Sequence, residues 1–95
     1  MAVKSYASVW DACAETAEES VNLRVRSQLM RAITRVVRGW ELPQTEAAKR
    51  LGVSQPRLND LLKGKIDKFS LDALVNMLAG ADLSIAVEVR ETDLA

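Results

Sequence analysis

The chain has 95 residues, 48% of them hydrophobic and 4% aromatic, and its thirteen basic and thirteen acidic side chains cancel. That length suits one domain with a modest aliphatic core, and no apolar run approaches the ~18 residues of a membrane span. With no histidine and a lone cysteine, Cys13, the usual general base, the Cys–His pair, most zinc sites and any internal disulfide are excluded.

No catalytic residue, metal or cofactor is therefore expected, and Cys13 reads as a small buried hydrophobe. The N-terminus lacks a leader-like apolar stretch, so the expected location is cytoplasmic. A first short helix is expected over "SVWDACA". "TAEES" then matches a capping box, with Thr16 as the cap and Glu19 reaching back, and should launch a long helix from about Ala17 to Gly39. Val25, Leu29, Ile33, Val36, Val37 and Trp40 recur at helical spacing, while Arg24, Gln28, Arg31, Arg35 and Arg38 gather on the opposite face. That basic face is either a solvated surface or a contact for phosphates or an acidic partner.

Pro43 breaks the pattern. "QTEAAKRLG" reads as a short helix ended by Gly52, and "SQPRLNDLLKG" as another stopped at Gly64. Ala48 is small enough for close helix approach, Gly52 permits a tight turn, and Leu58 and Leu61 lie beneath the second helix. Leu51 and Val53 plug the turn into the core. This ordered set reads as a helix-turn-helix. With Ser54 as N-cap, Pro56 falls in the first turn, where a missing N–H costs little. Gln55, Asn59 and Lys63 form an outward ridge, with Pro56 and Asp60 beside it and Arg57 on its flank.

A helix about 13 Å long fits a major groove about 12 Å wide. There Gln and Asn can pair with adenine and Arg with guanine. Lys63, Lys65 and Lys68 follow where phosphates would lie. Asp60 is expected either to pair with Arg57 or to accept from a cytosine amino group, the pair being favoured. Charge agrees with this placement: residues 23 to 70 carry eleven basic against four acidic side chains, and both ends are acidic.

"FSLDALVNMLAG" predicts a further helix capped by Ser70, with Phe69 and Leu74 as a hydrophobic staple and Gly80 as its end. "LSIAVEVRE" alternates Leu83, Ile85, Val87 and Val89 with polar or small residues, the pattern of a strand. A lone strand needs a partner, and the same strand of a second copy would supply one across a two-fold axis. Packing against its own helices, or fraying into the tail, are the alternatives.

"QTEAAKRLGVSQPRLNDLLKG" resembles the helix-turn-helix of lambda-repressor-like, Xre-type DNA-binding proteins. More narrowly, "SVWDACAETAEESVNLRVRSQLMRAITRVVRGWE" followed by "FSLDALVNMLAGADLSIAVEV" resembles the small antitoxins of the HigA type, over roughly residues 8 to 90. The resemblance implies a five-helix domain that dimerises on a palindromic operator, often its own promoter, and neutralises a RelE/HigB-like mRNA-cleaving toxin. It also implies that Gln44 binds phosphate, that Gln55 reads a base, that Arg57, Asn59 and Asp60 face the groove, and that Lys63 meets the backbone. Two departures stand out. Pro43 occupies the place of the usual Ser or Thr cap, and Pro56 that of a polar residue, leaving contact with a thymine methyl as its option.

The sequence thus leads to a mainly all-α, five-helix lambda-repressor-like domain over residues 1 to 95. Its helix-turn-helix spans about 44 to 64 and its dimerising β-strand about 83 to 90. The expected DNA-binding set is Gln44, Ser54, Gln55, Pro56, Arg57, Asn59, Asp60, Lys63 and Lys65; Leu83, Ile85, Val87 and Val89 form the expected dimer seam. The expected function is a repressor acting as the antitoxin of a type II toxin–antitoxin pair. A free-standing phage-like repressor, or an interaction module that has lost DNA affinity, are the alternatives.

Overall fold

The capping box forms as the sequence requires. In the computed structural model, which describes residues 16–91, the Thr16 hydroxyl accepts from the Glu19 N–H at 3.0 Å and Glu19 Oε1 accepts from the Thr16 N–H at 3.0 Å. Two orphan donors are satisfied at once, and Glu18 and Glu19 face the positive end of the helix dipole. Helix α1 follows, Ala17–Trp40, running one residue past Gly39. Trp40 packs against the core, with the Arg50 guanidinium 4.4 Å over its ring, which holds the last turn helical. The left-handed position falls instead on Glu41, at φ 55°.

Three shorter helices complete the described α-structure: α2 (Gln44–Leu51), α3 (Gln55–Leu62) and α4 (Leu71–Gly80), with a 3-10 turn at Ile66–Lys68. All three close in the same way. A left-handed residue (Gly52, Gly64 or Asp82) lets the next N–H reach five residues back: Val53 to Ala48, Lys65 to Asp60, and Leu83 to Leu78. This is the Schellman arrangement, and in α2 and α4 its last residue, Val53 or Leu83, packs on the core.

The core is one cluster in which Ile33, Leu58, Leu61, Phe69 and Leu74 are wholly enclosed. Helix α4 packs mainly against α1, and α3 against α2. Ser70 caps α4 by accepting from the Ala73 N–H at 3.1 Å, which sets Phe69 and Leu74 one turn apart in the core as a staple. Gly80 is more than a helix end. A Cβ there would collide with the Leu51 carbonyl oxygen, so α4 crosses the end of α2 at a distance only glycine allows.

One expectation falls outside the described residues and one needs correction. Among the described residues there are four α-helices rather than five; the expected helix over "SVWDACA", with Cys13, lies outside them. The expected strand over residues 83 to 90 is also not seen, because one copy of the chain offers it no ladder partner. Its four seam residues divide. Leu83 is drawn into the cap of α4, while Ile85, Val87 and Val89 are 47%, 76% and 88% exposed. No helix among the described residues is long and apolar enough to cross a membrane.

Candidate nucleic-acid interface

The motif is positioned from both ends. Pro43 precedes α2 with no side-chain cap, and its carbonyl accepts from the Ala47 N–H at 2.9 Å. At the other end, the Gly52 turn brings α3 across α2 so that Ala47, Ala48 and Leu51 meet Leu58 and Leu61 in the core. Ser54 caps α3 by accepting from the Arg57 N–H at 3.3 Å, and Pro56 sits in the first turn without interrupting the helix. The helix starts at Gln55, directly before the proline.

Burial of Leu58 and Leu61 turns the opposite side of α3 outward. Gln44, Gln55, Pro56 and Asn59 line one shared cleft. The first three are exposed and Asn59 half-buried, so side-chain amides from both motif helices converge on a single surface. Such amides can make paired hydrogen bonds with an adenine edge, and the Pro56 ring offers an apolar contact for a thymine methyl. Lys63 is exposed at the end of α3, and Lys65 just beyond it.

Ser54, Arg57 and Asp60 stand apart from that surface. The Ser54 hydroxyl is engaged by the helix cap. Arg57 is half-buried, its guanidinium 4.5 Å over the Phe69 ring and its Nη1 donating to the Lys68 carbonyl at 3.2 Å. It ties α3 to the turn before α4. Asp60 is not paired with Arg57 as expected; Lys65 Nζ lies 3.7 Å from its carboxylate. The stack on Phe69 holds the guanidinium away, and the reversal at Gly64 returns Lys65 toward the helix.

Sequence reading missed one structural arginine. Arg26 is gripped by the Asn22 amide oxygen at 2.7 Å and donates to the Ile66 and Phe69 carbonyls at 3.1 and 3.2 Å. It fastens the 3-10 turn to α1. The Asn22–Arg26 pair has the i, i+4 spacing of a helix contact, but the two carbonyls are 40 and 43 residues away and leave no local signal.

Two short helices locked by a glycine turn, the second exposing a polar ridge, define a helix-turn-helix protein. A family model described as "Helix-turn-helix domain" matches residues 12–90, and the chain belongs to that family. Among solved structures, it is similar to one described as an XRE family transcriptional regulator, with a TM-score of 0.71 and 26% identity. The alignment covers 81% of this chain and 86% of that one. A search of curated proteins gives no match.

Proposed function

We propose that this helix-turn-helix regulator is a dimeric, operator-binding repressor that serves as the antitoxin of a type II toxin–antitoxin pair. In this reading α3 enters the major groove, Gln55 and Asn59 read base edges, and Gln44, Lys63 and Lys65 fix register on phosphates. The observation that carries it is the convergence of Gln44, Gln55, Pro56 and Asn59 on one exposed surface. Ser54 and Arg57 serve from behind: one caps the reading helix, the other braces it.

The dimer forms through residues 83 to 90. Ile85, Val87 and Val89 alternate along an exposed segment, and antiparallel pairing with a second copy would cover them and satisfy the backbone. Two reading helices then lie about 34 Å apart, so the operator is a two-fold repeat. The antitoxin role is supported by the resemblance of residues 8 to 41 and 69 to 89 to HigA-type proteins, and its partner is a RelE/HigB-like toxin. The test is co-expression with a toxin of that type: restored growth and a stable complex are expected, and continued growth arrest would remove the antitoxin role. Operator binding is tested separately, by selection from a randomised duplex pool.

A further inference from the structure

Three arginines of α1 have no part in the reading surface. Arg31, Arg35 and Arg38 are exposed on one face of the helix at spacings of four and three. They line an open groove of about 480 Å³ whose opposite side is Leu61, Leu62 and Gly64 at the end of α3. Arg38 touches that end directly, its Nη2 donating to the Leu62 carbonyl at 3.4 Å. Among the described residues, the side chains of Arg31 and Arg35 have no hydrogen-bond or ion-pair partner.

This groove continues into the reading surface. Arg38 and Leu62 also line an adjoining cleft that reaches Gln44 and carries one acidic residue, Glu41. Gln44 in turn lines the cleft shared by Gln55, Pro56 and Asn59. A connected path therefore runs from the amides of α3, through Gln44 and past Leu62 at the end of that helix, to the arginine row. Among the described residues, no carboxylate lines the arginine groove itself.

We propose that Arg31, Arg35 and Arg38 form a phosphate-binding flank that carries the DNA footprint beyond the reading helix. This rests on the operator-binding reading. With α3 in the major groove, the backbone bordering that groove passes the end of the helix, and the arginine row extends from there. Guanidinium groups donate charge-assisted hydrogen bonds to phosphate oxygens, and their stems can lie along the apolar floor of Met30 and Leu62. Arg31 and Arg35 have no side-chain partner among the described residues to surrender. Phosphate contacts hold no base information, so the flank adds affinity for every sequence equally.

The test compares wild type with an R31A/R35A variant on an operator duplex and on an unrelated duplex, between 50 and 200 mM salt. Each lost phosphate contact reduces the salt slope by about 0.9, and a dimer of the variant loses four, so it should lose roughly a hundredfold less affinity than wild type over this interval. At low salt it should be weakened by the same factor on both duplexes. R31K/R35K should keep most of the wild-type slope, and the thermal melt of both variants should match wild type. An unchanged slope in R31A/R35A, with wild type still binding its operator, overturns the flank but leaves the operator reading intact. So does a variant that loses only its binding to a glutamate-rich peptide, which would make the row a site for an acidic protein. Wild type that binds no duplex overturns both.

Discussion

The Arg57 guanidinium lies 4.5 Å over the ring of Phe69 and donates to the Lys68 carbonyl, fixing α3 to the segment that leads into α4. Since Phe69 is enclosed in the core, the contact couples the pose of α3 to the packing beneath it. Arg57→Ala should therefore cost stability, about 1–2 kcal/mol from the lost stack and charged hydrogen bond. Base preference should stay as in wild type. Denaturant titration and competition binding measure the two effects; a relaxed preference with unchanged stability would return Arg57 to the groove.

The opposite signature is expected at Gln55 and Asn59. Replacing either with Ala should relax discrimination at one base pair by about 1–3 kcal/mol and leave the fold intact. Competition between operator duplexes changed one position at a time would show it. Uniform weakening across all of them would instead mark the residue as a phosphate contact.

Gly80→Ala should destabilise the domain, because the new methyl meets the Leu51 carbonyl and forces α4 away from α2. Overpacking of this kind costs about 1–3 kcal/mol, and each kcal/mol lowers Tm by roughly 4–8 °C in a domain of this size. Gly52→Ala places a Cβ in open space but at φ 88°, so its cost is backbone strain alone. A melt in which Gly80→Ala matches wild type would contradict the close crossing.

These cases show what could be read from the sequence and what could not. The capping box at Thr16, the caps at Ser54 and Ser70, and the turn at Gly52 rest on neighbours within a few residues, and each was legible. So was the outward side of α3 with Gln55, Pro56 and Asn59, once Leu58 and Leu61 were assigned inward, whereas the convergence of Gln44 from α2 on the same cleft came from the fold. Helical periodicity puts Arg57 on the flank of the ridge, and only the distant Phe69 and Lys68 decide which way it turns. Arg26 was missed for the same reason. The strand pattern was real alternation, but Leu83 serves the α4 cap, and the remaining residues pair only if another chain is present.

The C-terminal segment separates into two tests. Leu83→Ala should lower stability by about 2–3 kcal/mol without changing the oligomeric state, since Leu83 packs on the core at the close of α4. Val87→Asp should leave the fold of the protomer intact and dissociate the proposed dimer, since Val87 is 76% exposed in the single chain. Light scattering across a concentration series reads both. A Val87→Asp protein with the mass of wild type would remove the strand as the seam.

The measurement that bears most directly on operator reading by α3 is selection from a randomised duplex pool at near-physiological salt, followed by sequencing of the bound fraction. The account expects a two-fold-symmetric site with half-sites one helical turn apart, about 34 Å, and base preferences that relax in Gln55→Ala. No enrichment from well-folded protein, or a site whose preferences survive Gln55→Ala and Asn59→Ala together, would contradict it.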